Sequence, residues 1–182
     1  MSEFEFLFTG ISIVLALAVA RLLEGLRDSF DRTRRFWIHY LWVVNRLMVA
    51  LAIFWSLFDD RARTDMSFVS FLSLVTPPAI LFLQATALVT PHPGAVSDWN
   101  EHFWTVRRWF FGSNVLMVLG APLVLAYNAL TESPLHYAPY AASFLLSIVG
   151  YSTSNARIHG VLAAVSILTV GANLGLIAIH GG

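Results

Sequence analysis

Long apolar runs alternate with short charged stretches along this chain, and the runs define its predicted elements. A helix of about 20 apolar residues crosses roughly 30 Å of hydrocarbon. By that measure six spans are predicted, over residues 4–26, 36–58, 68–89, 110–127, 138–151 and 161–179. The expected fold is all-α, a polytopic membrane protein with six transmembrane helices forming a single domain over residues 1–182. The second span opens on Phe36 and Trp37 and closes near Trp55 and Phe58, as interfacial aromatic belts do. The stretch from Thr90 to Glu101, with Pro91, Pro93 and Gly94, is expected to be a loop ending at the interface. The fifth span is short for a crossing, and only residues 155–160 separate it from the sixth, so these two should form an antiparallel hairpin.

Composition agrees with the pattern. Hydrophobic residues make up 57% of the chain and charged residues only 12%, against about a quarter charged in soluble domains. All 11 basic residues are Arg and are matched by 11 acidic residues, so no attraction to nucleic acid is expected. Without Lys there is no Schiff-base or P-loop chemistry; without Cys there are no disulfides, thiolate nucleophiles or Cys-bound clusters. The acidic start, Met1-Ser2-Glu3-Phe4-Glu5, lacks the basic flank of a signal peptide, so the first span is read as retained. If the amino terminus lies outside, the inner side collects Arg27, Arg32, Arg34, Arg35, Arg107, Arg108 and Arg157, and the outer side only Arg61 and Arg63. The positive-inside rule then places both termini outside the cytoplasm.

Three ionisable residues sit within apolar runs: Arg21, Glu24 and Arg46. An Arg at a span centre costs roughly 2.5 to 3.5 kcal/mol even on insertion scales, so it needs a partner or a purpose. From the run boundaries, Arg21 lies roughly 7 Å inside and Arg46 roughly 15 Å, near the bilayer centre. Arg21 and Glu24, three apart, can pair with each other. Arg46 either is a structural cation bonded to backbone carbonyls, Asn45 or Gln84, or lines a polar pathway or anion site.

In Thr76-Pro77-Pro78 two missing amides and two rings are expected to kink or break the third span, freeing the carbonyls of Ser73 and Leu74. Ser73 and Thr76 could satisfy them. With Ser67 and Ser70 these hydroxyls recur every three residues, but that spacing drifts about 60° per step around a helix, so they do not form one wall. Gly171 and Gly175 form a GxxxG pair, and Ala16 with Ala20 repeats the small-xxx-small spacing. Either allows close helix packing within a protomer or between copies.

The histidines map to the surfaces: His39, His92, His102 and His159 inside, His136 and His180 outside. A haem held by two deep histidines is not expected, nor is a metal site at Asp98, Glu101 and His102, so no cofactor is assigned. Gly112-Ser113-Asn114 opening the fourth span and His159 opening the sixth look superficially like rhomboid proteases. However, Asn114 stands where that family has glycine, and His159 falls at the surface.

The stretch Ile11-Ser12-Ile13-Val14-Leu15-Ala16-Leu17-Ala18-Val19-Ala20-Arg21-Leu22-Leu23-Glu24-Gly25-Leu26, together with Arg107-Arg108-Trp109-Phe110-Phe111, resembles a family of small, uncharacterised bacterial multi-pass membrane proteins. The resemblance implies a bacterial inner membrane and carries over no activity and no site residue. From the residues themselves, the leading expectation is a small channel or transporter, for anions if Arg46 lines the path, acting as a homo-oligomer in the lipid bilayer. Arg46, the Pro77-Pro78 interruption and the polar Tyr151 to Asn155 end of the fifth span motivate it. The alternatives are a non-catalytic membrane subunit or scaffold docked to a membrane-protein partner, and an intramembrane hydrolase using Ser113.

Overall fold

The computed structural model describes residues 3–28, 36–59, 68–90, 96–128 and 138–180. The expected loop cations Arg32, Arg34, Arg35, Arg61 and Arg63, with His92, His136 and Ser67, lie outside them. All the described regular structure is helical: α1 (Glu3–Asp28), α2 (Trp37–Asp59), α3 (Phe68–Leu88), α4 (Trp99–Asn128), α5 (Ala138–Ser152) and α6 (Ala156–His180). Four of the helices are long and apolar enough to cross a membrane, over Glu5–Arg27, Trp37–Leu57, Phe71–Leu88 and Ala156–Gly175.

The helices alternate in direction. One end of the bundle gathers the close of α1, α3 and α5 and the start of α2, α4 and α6. There Gly25 meets Val89, His39 meets Trp99, and Arg107 meets Thr153. Arg27, Arg107, Arg108 and Arg157 belong to this end, here called the basic end. Helix α2 is central and packs on α1, α3, α4 and α6, while α1 stands at the edge against α2 and α3.

Three interfaces are keyed by glycine. A Cβ on Gly25 would lie 2.1 Å from Val89, one on Gly150 2.5 Å from Phe111, and one on Gly160 2.2 Å from Trp37. These are the α1–α3, α4–α5 and α2–α6 contacts. Within the protomer the GxxxG pair of α6 is not one packing surface: Gly171 faces Met48 of α2 and Gly175 meets nothing within 4 Å.

Two expectations need correcting. Helix α3 runs unbroken through Pro77 and Pro78, so the expected break is absent. Ser73, Thr76 and Pro77 are half-buried and Pro78 is buried. Helix α4 starts at Trp99, eleven residues before the predicted span at 110. The Asp98 carboxylate accepts from the Asn100 amide at 2.8 Å, and Glu101 follows three residues later, so one orphan donor of the first turn is satisfied by a capping residue.

Candidate functional site

Arg46 lies near the middle of α2 and is 3% exposed. A helical side chain leans toward the amino-terminal end of its helix, so the guanidinium sits closer to the basic end than its Cα. There it meets Gln84, one turn from the end of α3. Nε and Nη2 donate to Asn45 Oδ1 at 3.1 and 2.6 Å. Nη1 donates to Gln84 Oε1 at 3.0 Å and to Asn114 Oδ1 at 2.8 Å. The Phe110 ring lies beneath the guanidinium, 5.3 Å from its central carbon.

Each amide turns its oxygen to Arg46 and passes a proton outward. Asn45 donates to Ser166 Oγ of α6 at 2.9 Å, and Gln84 to Ser113 Oγ of α4 at 3.2 Å. Asn114 donates to Ser147 Oγ of α5 at 2.6 Å. Ser113 and Ser147 then donate to the backbone carbonyls of Phe110 and Ser143. One cation thereby orders side chains from five helices. No carboxylate touches it among the described residues; three amide dipoles with their negative ends inward take that place, and such fixed dipoles act strongly in a low-dielectric interior.

Aromatic rings flank the cluster on one side and mainly apolar side chains on the other. Toward the basic end, Trp42 lies edge-on to Phe110 and Phe111, with ring centroids 5.4 and 5.0 Å away. Beyond them the His159 ring packs on Phe103, Trp104 and Phe111, and His39 stacks on Trp99 at 4.6 Å. Toward the opposite end the buried side chains on α1 to α4 include Ile11, Ala50, Leu57, Leu74, Pro78, Leu81 and Val118, while Ser73 and Thr76 of α3 and Thr169 and Asn173 of α6 are half-buried.

At the basic end Arg107 donates to the Thr153 carbonyl and, at 2.8 Å, to Ser154 Oγ. His159 Nε2 is 3.0 Å from the same carbonyl, so both residues close the carboxyl end of α5. Burial, and then the neighbouring charge of Arg108, pushes the Arg107 guanidinium below its ordinary value. It stays charged, because an arginine does not lose its proton in a protein.

The predicted site residues thus separate into groups. Asn45, Arg46 and Gln84 come together; Ser73, Thr76, Pro77 and Pro78 take no part in the cluster. Arg21 Nη1 pairs with Glu24 Oε2 at 2.8 Å on the outer side of α1, with the two side chains 28% and 49% exposed. Ser147 and Ser166, which no motif marks, also join the cluster, and so does Asn114, the neighbour of Ser113 in the rhomboid-like stretch. The Ser113 hydroxyl accepts from Gln84 and donates to the Phe110 carbonyl, and among the described residues no imidazole hydrogen-bonds to it. The described residues also contain no group of three His, Asp or Glu fit for a metal ion.

Comparison with protein-family models, curated proteins and solved structures matches the chain to none of them, so no relative lends a role to any residue.

Proposed function

We propose that this chain is a non-conducting, non-catalytic membrane subunit, a six-helix scaffold that works through its outer surface. The carrying observation is the burial of Arg46 among amides and hydroxyls from five helices, which engage its guanidinium within the bundle. A permeation site needs an ion to enter and leave, and binding here would require breaking the bonds that align the bundle. All six helices are read as embedded. Helix α5, with 15 residues, is about 22 Å long and reaches only part of the way across a core of roughly 30 Å. The basic end faces the cytoplasm of a bacterial inner membrane in this reading, with both termini outside.

A second reading keeps the anion transporter, with the described arrangement as an occluded state. The observation favouring it is that no carboxylate touches Arg46 among the described residues, which leaves a net positive charge that an anion would complement. One experiment separates the two. Reconstituted into liposomes, the chain is expected to pass no more chloride or nitrate than empty vesicles. On mild extraction from native membranes it should carry a second membrane protein at fixed ratio. Anion flux that Arg46→Gln abolishes would overturn the subunit reading in favour of the transporter.

A further inference from the structure

Helix α1 is one of the bundle's edge helices, packed on α2 and α3, and its outward face is left exposed among the described residues. Ile13, Leu17 and Leu23 are each more than half exposed, and Ala16, Ala20 and Glu24 share that face. The Arg21–Glu24 pair sits on its flank, within a segment apolar enough to cross a membrane. Counted from Arg27, Glu24 lies about 4.5 Å and Arg21 about 9 Å inside the segment. Ionised groups in apolar segments normally pair with one another, and near a helix end a long Arg reaches toward the interface. Here the two pair within one chain on the outward side, part-exposed, and leave that side open to a partner of matching charge.

We propose that two copies of this chain associate through the outward face of α1, each Arg21 pairing across the interface with the other copy's Glu24. The charge pattern selects a second copy. The face carries one positive and one negative group three residues apart, net neutral, and is complementary to itself under a two-fold axis. Copies of one chain insert the same way up, so that axis stands along the bilayer normal and the two α1 helices run parallel. Arg21 of one copy and Glu24 of the other then differ in height by about 4.5 Å, as they do within one chain, so each guanidinium spans both carboxylates. Ala16 and Ala20 let the backbones approach closely enough for this four-charge ring to close. The inference goes beyond the subunit reading and stands whether or not a further protein binds elsewhere.

The natural absence of cysteine makes the test direct. In the full chain, in membranes, Ala20→Cys is expected to give an oxidatively cross-linked dimer, and Leu168→Cys on the outer side of α6 to give little. In the Ala20→Cys background, Arg21→Glu and Glu24→Arg expressed singly should each lower cross-linking about fivefold. Co-expressed with tags of different size, these two variants should restore it as the mixed dimer alone. An intrachain pair cannot be restored by mixing, because neither variant contains both charges. If either charge variant fails to insert, Ala16→Leu replaces it, since Ala16 is exposed and the added bulk should abolish cross-linking while leaving the protomer's thermal unfolding unchanged. Equal cross-linking at positions 20 and 168, or no recovery on mixing, overturns the proposal. Such a failure leaves the liposome result untouched, so the two readings fail separately.

Discussion

At the scale of single residues, the Arg46 cluster is defined by who accepts from the guanidinium. Asn114 accepts from Nη1 and donates to Ser147, so Asn114→Ala removes an acceptor from a buried cation and strands a donor's partner. It is expected to destabilise the protein by about 1–3 kcal/mol, the cost of an unmade bond to a buried charged group. Ser166→Ala leaves only the neutral Asn45 amide short of one acceptor, and should cost about 1 kcal/mol. Thermal unfolding in detergent checks the order, Asn114→Ala below Ser166→Ala below the parent. Arg46, Asn45 and Gln84 were legible in the sequence because polar residues in apolar runs stand out. The serines were not, because a hydroxyl can satisfy itself on its own helix and its presence in a span implies no partner.

At the scale of elements, helix contacts turn on where a side chain is missing. Gly150 is held against Phe111, a ring 1% exposed that has nowhere to move, and Gly25 against Val89, fully buried and β-branched. Gly150→Ala and Gly25→Ala are expected to cost about 1–3 kcal/mol through overpacking. Gly160→Ala should be milder, because the Trp37 ring it meets is 52% exposed and can swing away. At Gly10 and Gly175 no neighbour lies within 4 Å of an added Cβ, and alanine should gain up to about 1 kcal/mol of helix stability. The same unfolding assay reads the series; a loss at Gly175 equal to that at Gly150 would mean that Gly175 packs against something beyond the protomer. Spacing alone drew attention to Gly171 and Gly175, whereas the tight contacts fall at isolated glycines that no motif marks. The early start of α4 did have a signal, Asp98 with Glu101 three residues on, but prolines and aromatic residues around it read more readily as an interfacial loop.

At the scale of the whole molecule, alternating helix directions bring Arg27, Arg107, Arg108 and Arg157 to one end, and orientation follows from the charge of that end. Ala156→Cys, at the exposed start of α6, should react with a membrane-permeant thiol reagent in intact cells and not with an impermeant one. Labelling by the impermeant reagent would invert the topology. The bundle encloses one main core from Leu15 to Ala163 with α2 at its centre, and a smaller one around Ile11, Leu57 and Leu74 near the other end.

Apolar run length, the rarity of charge and the positions of the prolines are local properties, and by themselves they predicted six helical spans; the described residues form six helices, and the helix bounds leave four of them long and apolar enough to span a membrane. They also marked Arg46 as a residue needing an explanation. What surrounds that cation depends on what four other helices bring to it, and periodicity carries no information about which amide meets which guanidinium. The tertiary structure decided this by turning Asn45, Gln84 and Asn114 inward with their oxygens on Arg46 and closing Trp42, Phe110 and Phe111 over it. The same packing turned Arg21 and Glu24 outward, because α1 gives its buried face to α2 and α3 and keeps the other for the surroundings.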